Sequence, residues 1–276
     1  LAWVMLPIMD GFAKYLSAEL PVLQITWARY FFTVVFIFPL MLFFFKKYLV
    51  WTDKPKLQLI RGLILLTANI SFFYSISVIS LPKALTLAFV APLVVTAFSP
   101  FFLGESVGYR RWAAVIIGFI GSLVVIRPGF LEINLASLAA LGTGIMYGFY
   151  LIITRKLSTS DNPLLTLLLT GVVGAIIATT FMPFVWVSPT FNQWSIMAAI
   201  GLFACIGHLF IILSLKYADA SKLAPFSYFE IVTNIIIAYY FFGDFPDSWT
   251  FLGLFIIVFS GIYISRRENI VKNIKI

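Results

Sequence analysis

Eleven acidic side chains and a single histidine in 276 residues leave few groups that could do chemistry, so each is worth placing. Glu230 is the sharpest of them. It stands well inside an apolar run, with no Lys or Arg three or four residues to either side. Ser227 precedes it by one helical turn and Asn234 follows by one, which puts the three on one face of a helix. An acid at bilayer depth with no cation on its own helix could carry a proton or meet a positively charged group on a ligand. Asp10 and Lys14 stand at i and i+4, where they can neutralise each other or contact a ligand. Arg29 could pair with Asp10, hold a ligand carboxylate or reach outward to water. Thr143, Tyr147, Tyr150 and Thr154 recur at helical spacing, and a tyrosine offers a planar amphipathic solute both a stacking face and a hydroxyl. Tyr74 and Tyr228 could contribute in the same way.

The elements that must position these groups are apolar. Hydrophobic residues make up 62% of the chain and charged residues only 11%. A soluble domain is about a quarter charged, so a water-soluble enzyme is excluded, and so is a disordered chain. Breaks at charges, prolines and polar clusters divide the chain into ten apolar segments, roughly 1–17, 22–45, 57–79, 84–103, 111–126, 136–154, 163–186, 194–216, 222–242 and 248–265. Each needs about 20 residues to cross a bilayer, and the short gaps leave no room for an added soluble domain. Continuous rather than alternating apolarity favours helices over a barrel. The chain opens at Leu1 inside an apolar run without a basic leader, which reads as a trimmed first span rather than a signal peptide.

The net charge of +8 and pI ≈ 9.6 would suggest nucleic-acid binding in a soluble protein. Here the basic residues flank apolar runs and orient them. With the N-terminus inside, fifteen of the nineteen Lys and Arg residues fall on the cytoplasmic side and only Lys14, Arg29, Lys83 and Arg127 in the outer half. Both termini are then cytoplasmic, and the plasma (inner) membrane is the expected location. One cysteine and one histidine cannot build a four-ligand zinc site without carboxylates. Cys205 and His208 at i and i+3 do not suggest a nucleophile pair. No Walker A sequence occurs, which excludes nucleotide-driven pumping by this chain. No cofactor is expected.

Sliding the chain against itself by 139 positions pairs Gly62 with Gly201, Ser75 with Ser214, Lys83 with Lys222 and Gly104-Glu105 with Gly243-Asp244. The same register makes Asn69 and His208 equivalent, each near the middle of its span. Two five-helix halves follow, 1–130 and 131–276, and an odd number of spans inverts one half relative to the other. Inverted halves can exchange conformations and open a central site first to one side and then to the other. Asn69 and His208 should then face one cavity.

Several runs resemble the drug/metabolite transporter superfamily in its ten-helix EamA-type branch. They are Asp10, Lys14, Pro21, Gln24 and Trp27-Ala28-Arg29-Tyr30, then Pro92 through Leu103-Gly104-Glu105. The second half adds Ala224-Pro225-Phe226-Ser227-Tyr228, Phe242-Gly243-Asp244-Phe245-Pro246-Asp247 and Ser260-Gly261. Gly243-Asp244 departs from the more usual Gly-Glu. The resemblance implies an all-α integral membrane fold of ten helices around a central cavity, and no enzymatic activity. It also implies secondary transport or exchange of a small amphipathic metabolite that is amino-acid-like, nucleoside-like or vitamin-like. The expected substrate-binding set is Asp10, Lys14, Arg29, Asn69, Tyr74, Tyr147, Tyr150, His208, Tyr228, Glu230 and Asn234. The expected partners are a small-molecule substrate, the lipid bilayer and a proton as coupling ion, with no nucleic acid and a monomer as the working unit. An integral-membrane enzyme acting on a lipid-soluble substrate, or a channel or assembly subunit, stands as the alternative. His208 and Glu230 are the only acid–base pair such an enzyme could use.

Overall fold

A backbone in lipid has no water to satisfy its N–H and C=O groups, so a chain this apolar must close its hydrogen bonds within each segment. The computed structural model shows that outcome and describes residues 1–49, 52–104, 107–127, 134–158, 160–217 and 229–274. Every regular element among them is helical. The α-helices are α1 (Ala2–Leu16), α2 (Val22–Phe44), α3 (Pro55–Val78), α4 (Leu81–Ala88), α5 (Ala91–Leu103) and α6 (Tyr109–Ile126). They continue as α7 (Leu135–Leu157), α8 (Pro163–Val185), α9 (Phe191–Tyr217), α10 (Phe229–Phe242) and α11 (Ser248–Ile274). Among the described residues, seven stretches are long and apolar enough to cross a membrane, α4 and α5 counting together as Leu81–Phe102; α10 and Ser248–Ile264 are shorter apolar helices.

The expected fourth span, 84–103, is where the sequence reading and the structure differ most. It is two helices that break at Phe89 and Val90. Pro92 has no N–H to give the carbonyl of Ala88, so the ladder lapses there and restarts from Val90. Against this break lies α7. A Cβ on Gly144 would stand 2.6 Å from the Ala88 carbonyl oxygen, and one on Gly148 would stand 2.8 Å from the Val94 side chain. Small residues four apart let helix backbones approach closely in a bilayer, where dispersion rather than water drives association.

The helices pack in a recurring pattern. α3 lies along α7 and α1 along α9; α5 and α4 lie against α7, and α10 lies against α1. α2 packs on α8, and α6 packs along α11. Gly104 and Gly243 end α5 and α10 with φ of +68° and +67°, a left-handed turn that glycine makes without steric cost.

The α7 contact yields a matched test. Gly144→Val should lower the unfolding midpoint of the detergent-solubilised protein, because overpacking costs about 1–3 kcal/mol. Gly142→Ala, where a Cβ meets nothing within 4 Å, should leave it unchanged. Equal melting of the two variants would contradict the packing.

Candidate functional site

A cavity of about 220 Å³ lies where α1, α3, α7 and α9 face one another, with α4, α5, α6, α10 and α11 completing its wall. Its walls are mostly apolar. The exceptions at its depth are Asp10, Asn69, Thr143, Tyr147, His208 and Glu230; Arg111, Arg155 and Ser214 line it toward the other end, and Thr96 and Ser99 line it from α5. That end is the one where α1 begins and α7 and α9 finish.

Six expected positions therefore converge, five of them from the substrate-binding set and Thr143 from the helical stripe. Asn69 donates through Nδ2 to Tyr30 Oη at 2.9 Å and to the Leu65 carbonyl at 2.6 Å. Thr143 Oγ1 donates to the carbonyl of Ala68 or Ala139, at 3.2 and 3.0 Å. Among the described residues, neither Asp10 Oδ1 nor the Tyr147 hydroxyl, both buried, has a hydrogen-bond partner.

Arg29 and Tyr150 stand behind the cavity wall rather than on it. Arg29 Nη2 lies 2.7 Å from His208 Nε2, and His208 Nδ1 lies 3.2 Å from Tyr150 Oη. A guanidinium can only donate, so Nε2 must be the accepting nitrogen. The ring proton then sits on Nδ1 and is donated to Tyr150. Tyr150 Oη also accepts from Arg61 Nη2 at 2.8 Å. Arg61 is fully buried and donates further to Thr154 Oγ1 at 2.7 Å, to the Thr166 carbonyl at 3.2 Å and to Thr170 Oγ1. The chain Arg29–His208–Tyr150–Arg61 thus ties α2, α9, α7, α3 and α8 together behind the cavity.

Other expected positions lie elsewhere. Lys14 does not neutralise Asp10. Its ammonium reaches Asp244 Oδ2 at 3.0 Å and the carbonyls of Ile76 and Ile79 at 3.3 and 3.1 Å. The last carbonyls of a helix lack intrahelical donors and carry partial negative charge, so the end of α3 and a loop acid together outcompete the i, i−4 neighbour. Asn234 is buried one turn past Glu230 but packs beside Pro82, Leu85 and Thr86 of α4 instead of the cavity, with both amide atoms unpartnered. Tyr74 is half-buried and away from the cavity. Tyr228, like Ser227, Pro225, Lys222 and Glu105, lies outside the described residues.

The end of the bundle opposite Arg111 and Arg155 is shut. Besides the Lys14 contacts, Arg127 pairs with Asp247, Gln24 exchanges two hydrogen bonds with the Val187 backbone, and Gln193 Nε2 donates to Glu19 at 2.5 Å. Burial alone would raise the Asp247 carboxyl, yet hydrogen bonds from Thr250 and the Arg127 guanidinium hold it below its usual value. That loop contact therefore stays charged until the pH falls below the ordinary carboxylate range.

Arg61, Arg111 and Arg155 were counted from sequence as charges that orient loops. Arg61 carries a signal that could have marked it: it sits inside the third apolar run, where an ionisable group is costly unless it is used. Among the described residues, no three His, Cys, Asp or Glu side chains converge as metal ligands.

The EamA-like transporter family model matches residues 1–127 and again 134–266. The chain is 26% identical over 274 residues to the S-adenosylmethionine uptake transporter of Rickettsia bellii, covering 98% of this chain and 94% of that protein. It is 28% identical over 193 residues to the riboflavin transporter of Vibrio cholerae, covering 68% and 63%. It is also 26% identical over 269 residues to the pseudopaline exporter of Pseudomonas aeruginosa, covering 95% and 92%. A crystal structure of a protein 17% identical in sequence superposes with a TM-score of 0.70 over 96% of each chain, a likeness of fold alone.

The two tyrosines on α7 make opposite forecasts. Tyr150→Phe leaves Arg61 and His208 without their shared acceptor and should destabilise the protein by about 1–3 kcal/mol. Tyr147→Phe removes a hydroxyl that has no partner and should cost no stability. Thermal melts of the two purified variants test this; a larger loss in Tyr147→Phe would overturn the assignment.

Proposed function

Since this chain belongs to the EamA-like transporter family, we propose that it carries a small amphipathic metabolite by alternating access through the cavity just described. The observation that carries the reading is that cavity itself. It is a polar-tipped apolar chamber at the crossing of α1, α3, α7 and α9, shut at one end by ion pairs and backbone contacts. The three relatives are named for three different cargoes, two as transporters or uptake systems and one as an exporter. Neither cargo nor direction is common to them, so both belong to the particular cavity and its coupling.

The halves 1–130 and 131–276 are inverted copies in this reading. Support comes from the family model, which matches once in each half. It comes also from packing: α1 against α9 is the counterpart of α3 against α7, and α1 against α10 the counterpart of α7 against α4 and α5. α2 with α8 and α6 with α11 are pairs that a twofold axis would map onto themselves. The left-handed glycines Gly104 and Gly243 fall at equivalent positions. An odd number of spans in each half makes the axis lie in the membrane plane.

With both termini in the cytoplasm, as the basic residues favour, the Arg111 and Arg155 end of the cavity faces inward. The Lys14–Asp244 and Arg127–Asp247 contacts then form the closed outer side. The conformation is inward-facing, and transport requires those contacts to part while the cytoplasmic ends of the helices converge. A monomer is the working unit in this reading. A proton taken up at Glu230 would couple the cycle, with Asp10, Tyr147, His208 and Arg29 as its charged and titratable surroundings.

Reconstituted protein, supplied with a labelled metabolite panel under imposed pH and sodium gradients, tests the carrier reading. Flux should saturate and should accelerate when the same metabolite is present on the opposite face. Glu230→Gln should abolish pH-driven accumulation. Flux that neither saturates nor accelerates would favour a channel. Topology has its own check: in a Cys205→Ala background, Asp53→Cys should label from the cytoplasm and Ser188→Cys from outside. Labelling of both from one face would sink the orientation.

A further inference from the structure

We infer that the deep end of the cavity is a cation site, in which Asp10 on α1 and Glu230 on α10 together receive the positively charged centre of an organic cation. The inference rests on the reading of this cavity as the carrier's binding site. It starts from two acids that the fold has placed in one apolar chamber. Asp10 is 3% exposed and Glu230 9%, both line the cavity, and their helices pack on each other. Two separate helices thus each bring a carboxyl to the same chamber. Two carboxylates in one desolvated site cannot both stay charged without a compensating positive charge.

The cations that could supply that charge are committed elsewhere. Lys14 is held by Asp244 and two carbonyls at the shut end. Arg29 attracts Asp10 but makes no ion pair with it; its guanidinium is turned to His208 and lies over the Tyr30 ring, 4.6 Å from the centroid. Arg61 is consumed by its own acceptors behind Tyr150. Arg111 and Arg155 line the far part of the cavity. Among the described residues nothing donates to Asp10 Oδ1, and the Tyr147 hydroxyl is equally without a hydrogen-bond partner. Asp10 and Glu230 both line the cavity, and a buried carboxyl with no protein donor on one of its oxygens leaves its charge to be met by something that enters.

The walls choose the kind of cation. A bare metal ion asks for several oxygen ligands, and no third His, Cys, Asp or Glu side chain among the described residues converges on the pair. Trp3, Phe72, Phe89 and Tyr147 line the same chamber. Aromatic rings attract onium groups that have little hydration to lose. An ammonium or sulfonium centre on an apolar or planar body satisfies both the acids and the rings.

Isosteric pairs that differ only in the positive centre test this on the purified full chain in lipid nanodiscs. Choline is compared with 3,3-dimethylbutan-1-ol, and S-adenosylmethionine with S-adenosylhomocysteine, each by equilibrium binding. In at least one pair the cationic member should bind about tenfold or more tightly. It should also protect Asp10 and Glu230 from carbodiimide modification. Asp10→Asn or Glu230→Gln should shrink the preference to about twofold or less. Equal binding within both pairs, no binding by either, or a preference that survives both substitutions overturns the inference. If a substituted chain does not fold, the wild-type preference and protection still decide. Saturable flux of the metabolite panel without any cation preference removes this inference and leaves the carrier reading intact; cation preference without flux does the reverse.

Discussion

A guanidinium at bilayer depth must find acceptors or draw water in after it, and the core of this molecule is arranged around two of them. Arg29 and Arg61 make no ion pair among the described residues. Their charge is spread instead over a histidine nitrogen, a phenol, three threonine groups and a tyrosine ring. Leaving such a buried group short of an acceptor typically costs about 1–3 kcal/mol, more than the ~0.6 kcal/mol average of an interhelical hydrogen bond in a membrane. The network therefore fixes how α2, α3, α7, α8 and α9 sit about one another. His208 is the point where it reaches the cavity, its ring oriented from behind by Arg29 and Tyr150.

The cavity exists because close packing fails on one side of that network and succeeds on the other. Gly144 and Gly148 let α7 sit almost backbone to backbone on the broken α4–α5 segment. The break itself turns Ala88, Phe89, Ala91 and Pro92 toward the chamber. Beyond the chamber, Ala13, Leu16, Phe73 and Ile76 are all but fully buried and close the bundle. Polar contacts over that plug join α1, α3 and the loop between α10 and α11. They are few and local, which suits contacts that must part and re-form, whereas the arginine network is deep and many-handed.

Much of the wall was legible in the residues alone. Asp10, Asn69, Thr143, Tyr147, His208 and Glu230 were singled out by type, by depth in an apolar run and by helical spacing, and all of them face one cavity. The 139-residue register put Asn69 and His208 into the same chamber before any coordinate did. Spacing was less informative about partners. It offered Lys14 to Asp10, and it placed Asn234 with Glu230, because residues four apart share a side of their own helix. It counted Arg61 among the loop charges, although Thr154, Thr166 and Thr170 stood waiting for it on two other helices.

By itself, then, the sequence determined that the chain is helical and membrane-embedded, roughly where most of its apolar helices begin and end, and which face of each carries polar atoms. Those properties follow from hydrogen bonding within a segment and from a period of 3.6 residues, and both are local. Only the tertiary structure decided which polar atoms meet. A helix's own period sets the angle of a side chain about its axis but not the neighbour it looks at. The end of α3 drew Lys14 away from Asp10, and Pro92 parted α4 from α5 where α7 could fill the gap. The convergence of Asp10 and Glu230 on one cavity, from α1 and α10, belongs to the same class. It arises from two helices distant in sequence brought side by side, and no spacing along either one contains it.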